Sequence, residues 1–158
     1  MRRNSTHTNY LKLFLFALFL VFLQILSNTF LFMPTFVGVF FAYIILNQDR
    51  EENFFYVLLS FAYLSFYELN KGFFLFSYVV LFLIYYQFFD EKIRNYFKCK
   101  NCIIFVYIVV AYVGDFFINA LFAYILNEHF PNFSSEYLYY IAFDFIVAMV
   151  WFGRSFEN

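Results

Sequence analysis

The chain has 158 residues, a net charge of −1, 65% hydrophobic but only 13% charged residues, and a mean hydropathy of +0.71. Soluble domains carry about 25% charged and 45–50% apolar residues, so a water-soluble globule is not expected. The near-neutral charge lacks the basic footprint that nucleic acid requires.

In chain order, Met1-Arg2-Arg3 precedes an apolar run that starts at Leu11. This has the outline of a signal peptide, but no small-x-small cleavage site lies near Ser27 and further apolar stretches follow. It is read as an uncleaved first span, Tyr10 to Leu26. After a polar break at Ser27-Asn28, a second span runs from Thr29 to Leu46, with Pro34 in the first turns of its helix. Residues 47–53 form a charged loop. Phe54 to Phe89 is apolar except for Glu68-Leu69-Asn70-Lys71-Gly72. A second charged loop, 90–101, holds Lys92, Arg94, Lys98 and Lys100. Cys102 to Leu126 is the fifth span, residues 127–136 a polar loop with Pro131, and Tyr137 to Phe152 the last span.

The stretch from Phe54 to Phe89 decides the topology. As one helix of roughly 36 residues it would be about 54 Å long, against a hydrocarbon core of about 30 Å. As a hairpin turning at Asn70 to Gly72, with Gly72 free to take positive φ, it gives six spans with both termini inside. All ten basic residues except Lys71 then lie on the cytoplasmic side. The expected fold is an all-α polytopic membrane protein with six helices. Its cytoplasmic N-terminus is 1–9, its transmembrane domain 10–152 and its cytoplasmic tail 153–158.

Gly 4 and Pro 2 make glycine-mediated helix crossings scarce. Phe 30 and Tyr 15 are spread through every span, the pattern of an AT-rich bacterial genome rather than of an aromatic ligand box.

Three acids lie at or inside apolar spans: Glu68, Asp115 and Asp144. A charge at bilayer depth costs at least about 2.5–3.5 kcal/mol, so such residues face protein or water. Asn119 shares a helix face with Asp115. Asp115 and Asp144 differ in depth by roughly 6 Å at helical rise, which leaves them free to approach one another. Three readings follow: polar glue between helices, ion or proton coupling, and a dyad sharing a proton. The length fits lipoprotein signal peptidase, but the Asn- and Gly-rich surroundings of that family's aspartates are absent. Glu68 and Lys71 stand within pairing distance and mark the outer end of the hairpin.

Cys99-Lys100-Asn101-Cys102 is a single C-x-x-C. Zinc would need two further ligands, and the only histidines are His7 and His129. Thiols facing the cytoplasm are read as reduced. Asn132-Phe133-Ser134 fits a glycosylation pattern with little meaning in a bacterium. There is no phosphate loop, no H-E-x-x-H and no serine nucleophile elbow, so neither cofactor nor metal is expected.

The order of features resembles MreD, the small polytopic protein of the bacterial rod-shape system. Phe22-Leu23-Gln24-Ile25 is similar to that family's Leu-Gln element at the end of the first span. Phe32-Met33-Pro34-Thr35-Phe36-Val37 resembles its aromatic-x-Pro opening of span two, with Ala42-Tyr43 following. Glu68 to Gly72, ahead of a span ending Tyr85-Tyr86, resembles its Asp-x-x-x-Gly hairpin, and Val113-Gly114-Asp115 its later intramembrane aspartate. The likeness covers about residues 10 to 154. Glu68 departs from the family's usual Asp, and Val57-Leu58-Leu59-Ser60-Phe61 lacks its glycines, which puts close glycine packing there in doubt. The resemblance implies a non-enzymatic scaffold of lateral wall synthesis in the inner membrane. Its partners would be MreC-like, MreB, RodA-like and class B penicillin-binding proteins, with Glu68, Gly72, Asp115, Asn119 and Asp144 as candidates for partner contact or helix packing. A substrate-binding subunit of a vitamin-type transporter, which shares the six-span plan, is the alternative. It would bind its ligand in an outward cavity lined by aromatics and the Glu68 region. An intramembrane hydrolase is the third reading.

Overall fold

The computed structural model describes the backbone of residues 5–30, 33–131 and 135–153, and the side chains of 10–30, 33–131 and 135–152. Arg2, Arg3, Asn132-Phe133-Ser134 and Arg154 lie outside the described residues.

Among the described residues the chain is all helical. The helices are α1 (Ser5–Thr29), α2 (Val37–Asn47), α3 (Phe54–Lys71), α4 (Ser77–Phe88), α5 (Asp90–Tyr96), α6 (Lys100–Leu126) and α7 (Glu136–Gly153), with a 3-10 turn over Glu51–Asn53. Two helices, Tyr10–Thr29 of α1 and Lys100–Leu126, are long and apolar enough to cross a membrane. α2 and α4 are shorter apolar helices.

Apolar periodicity alone builds most of this, but three local features differ from expectation. α1 runs straight through Ser27-Asn28, and the Thr29 hydroxyl bonds back to the Ile25 carbonyl at 2.8 Å. α2 does not begin near Thr29. Pro34 disfavours helical geometry in the residue before it, Phe36 adopts a left-handed conformation (φ 53°), and the helix starts only at Val37. Within the 90–101 loop, Asp90–Tyr96 forms a helix with Asp90 and Glu91 in its first turn and Arg94 in its last, which complements the helix dipole. Buried Asp90 takes a 2.9 Å hydrogen bond from the Tyr107 hydroxyl and a 3.0 Å ion pair from Arg94, so α5 is tied to α6.

The hairpin turn lies where the sequence places it. α3 ends at Lys71, Gly72 takes φ 70°, and its N–H and that of Phe73 close the helix onto Leu69 and Glu68.

α2 is the centre of the molecule. Val37, Phe41, Ala42, Ile44 and Ile45 are wholly buried, against α3 on one side and α6 and α7 on the other. α4 packs on α6. α1 sits at the periphery and touches mainly α3. Two of the four glycines serve helix contacts after all. A Cβ at Gly38 would lie 2.7 Å from Ile108 Cγ2 and 2.9 Å from Asp144 Oδ2, and one at Gly114 would lie 2.6 Å from a Leu81 methyl.

Candidate functional site

The three acids share one structural role: they answer the starts of the two short helices. A helix N-terminus leaves backbone N–H groups without intrahelical partners. Neither α2 nor α4 has a capping side chain of its own, because the residue ahead of each is a phenylalanine at positive φ, Phe36 at 53° and Phe76 at 69°. Positive φ is a strained conformation for a bulky residue. The missing caps come from other helices.

At α4, Glu68 of α3 is fully buried and its carboxylate accepts from the N–H groups of Phe76 and Tyr78, both at 2.7 Å. Asn119 of α6 accepts from the Phe74 N–H at 2.8 Å and donates to Asp115 Oδ1 at 2.9 Å. Ser77 Oγ lies 2.7 Å from both Glu68 Oε1 and Asp115 Oδ1. A serine hydroxyl carries one hydrogen, so the two contacts together need a second hydrogen, held on one of the carboxyls. Both carboxyls also accept elsewhere, Glu68 from two backbone N–H groups and Asp115 from Asn119.

At α2, Asp144 of α7 is fully buried. Its Oδ2 accepts from the Gly38 N–H at 2.8 Å and from the Tyr112 hydroxyl at 2.8 Å. Tyr112 stands 3.1 Å from the Thr35 hydroxyl, and Tyr63 donates to the Thr35 carbonyl at 2.6 Å. Asp144 Oδ1 is buried with no hydrogen-bond partner among the described residues.

α6 serves both networks. Tyr112, Asp115 and Asn119 are three and seven residues apart and therefore lie on one face. The structure brings Glu68, Asp115 and Asn119 together. It puts Asp144 elsewhere: the two aspartates share no hydrogen-bond partner. Glu68 turns inward to 76–78, and no ion pair joins it to exposed Lys71 among the described residues. Gly72 is exposed at the turn, with nothing within 4 Å of a Cβ placed on it.

Ser77, Tyr112, Thr35 and Gly38 were not evident from sequence. Tyr112 carried a signal, its position one turn before Asp115. Ser77 and Thr35 carried none beyond being small polar residues close to a helix start.

Among the described residues no group of three or more His, Cys, Asp or Glu is placed to hold a metal ion. No protein-family model, curated protein or solved structure matches the chain.

Proposed function

We propose that the protein is a non-enzymatic scaffold of the bacterial inner membrane, of the MreD-like kind, which crosses the bilayer six times with both termini in the cytoplasm. Large apolar side chains such as Phe14, Phe22, Phe66, Leu83, Phe117 and Ile146 face outward from five of the helices, a surface suited to lipid rather than water. The crossings would be α1–α4, α6 and α7. At helical rise α2 and α4 reach only about 17 and 18 Å, short of a core of about 30 Å. The non-helical segments 33–36 and 73–76 make up depth. Hydrocarbon tolerates such backbone only where protein satisfies it, and Tyr63, Asp144, Asn119 and Glu68 do so.

The observation that carries the scaffold reading is that all three acids are engaged at internal helix starts, Glu68 and Asp144 by accepting backbone N–H groups and Asp115 through Ser77 and Asn119. Chemistry at a carboxylate needs a substrate in reach of it, and here each carboxylate is turned toward its own bundle. Glu68, Asp115, Asn119 and Asp144 are therefore helix-packing residues, and contact with partners falls to an apolar face. An apolar cleft of about 590 Å³ lies between α1 and α7, with Phe16, Phe19, Val39, Phe40, Val147 and Trp151 in its walls. It would take the side chains of a partner's transmembrane helix, as from an MreC-like protein.

Depletion should round the cells, and the purified protein should retain an MreC-like partner and show no hydrolytic activity. Normal cell shape on deletion would refute the reading. A transporter subunit is the second reading, favoured by one observation. A cavity of about 330 Å³ beside the Glu68 network is lined by Tyr67, Lys71, Phe74, Asn119, Glu128 and Tyr137 among others. Tight vitamin binding by the purified protein would support it.

A further inference from the structure

The Cys99–Cys102 pair is used by neither capping network, and its placement gives it chemistry of its own. Cys99 is exposed and is the residue immediately ahead of α6, with extended backbone (φ −86°, ψ 116°). Cys102 is half-buried in the first turn of that helix, and both thiols are free. Residues three apart in a helical turn are neighbours, within the range that a disulfide bridges after a small adjustment.

The surroundings favour the anionic sulfur at Cys99. The Cys102 thiol, followed by the N–H groups of Cys102 and Asn101, holds the Cys99 thiol below its ordinary value, although Cys99 makes no full capping bond to the helix. Lys98 and Lys100 flank it, and Arg94 joins Lys100 around one small recess with Ile103 and Ile104. A helix N-terminus, nearby cations and a C-x-x-C spacing each raise the thiolate fraction of a cysteine.

We propose that Cys99 and Cys102 are a redox-active dithiol, with Cys99 as the attacking sulfur, Cys102 as the resolving sulfur and a glutathione-type disulfide as the oxidant. The Cys99 thiolate attacks one sulfur of the oxidant, forming a mixed disulfide and expelling one thiolate. Cys102 then loses its proton and attacks the Cys99 sulfur. This forms the Cys99–Cys102 bond and expels the second thiolate. Two protein thiols are oxidised and one small disulfide is reduced to two thiols. In the cytoplasm a disulfide of this kind is transient and sensing rather than structural. Closing it staples the 97–99 linker to α6 and so fixes the junction between α5 and α6.

The full-length protein in detergent, treated with oxidised glutathione, tests this. At pH 7 iodoacetamide should modify Cys99 about tenfold faster than Cys102. Oxidation should give a Cys99–Cys102 disulfide by mass spectrometry, and Cys102→Ser should stop at a glutathione adduct on Cys99. Cys99→Ser should leave Cys102 unmodified. Equal alkylation of the two thiols, or an adduct on Cys102 in the Cys99→Ser protein as readily as on Cys99 in its counterpart, would overturn the assignment.

Discussion

The N–H of Gly38 and the carboxylate of Asp144 are joined by a 2.8 Å hydrogen bond across 106 positions of the sequence. Through it the last helix caps the second, a helix whose own preceding residue, Phe36, offers no capping group. The same carboxylate oxygen holds Tyr112, so α2, α6 and α7 meet at one atom.

Removing that atom should loosen three helices together. Asp144→Leu leaves the Gly38 N–H buried without an acceptor, at a cost of about 1–3 kcal/mol, and leaves the Tyr112 hydroxyl only Thr35 as a partner. Asp144→Asn keeps an acceptor oxygen and should cost far less. Thermal unfolding in detergent checks this: the Leu variant should melt well below the Asn variant, and equal melting would show that the bond carries little.

The two glycines at opposite ends of the scale should behave differently. Gly38→Ala drives a methyl into Ile108 and Asp144 and should cost about 1–3 kcal/mol through overpacking. Gly72→Ala meets open space and pays only for its left-handed conformation, about 1–2 kcal/mol. Melting temperatures of the two variants, with expression level as a second readout, should place Gly38→Ala lower.

Cysteine scanning in intact cells, with Cys99 and Cys102 replaced by serine, reads the topology. Position 71 and positions 128–136 should label from outside, and positions 49–52 and 92–100 from inside only. Outside labelling of 92–100 would contradict six crossings.

The helices and the hairpin were legible because apolar periodicity, the polar interruptions and Gly72 are local signals. The late start of α2 was not. Pro34 is compatible with a first helical turn, and what excludes it here is the left-handed Phe36 behind it, a conformation held by Asp144 and Tyr63 from other helices. The acids stood out through their cost in an apolar stretch, and Asn119 through its spacing from Asp115. Their targets did not. Ser77, Thr35 and Gly38 meet their partners only after the chain folds, across 38, 77 and 106 positions. The two aspartates likewise take different partners, Asp115 at the start of α4 and Asp144 at the start of α2.

The most direct measurement of whether these acids are structural is complementation of cells depleted of the protein by Asp115→Asn and Asp115→Leu. An amide at 115 keeps one of the two contacts that Asp115 Oδ1 makes, donating to Ser77 or accepting from Asn119, but it cannot exchange a proton. The Asn variant should restore cell shape nearly as well as the unaltered protein, and the Leu variant should fall short, if modestly, since interhelical hydrogen bonds in membranes average about 0.6 kcal/mol. An Asn variant that fails as badly as the Leu variant would contradict a scaffold and assign Asp115 to proton transfer.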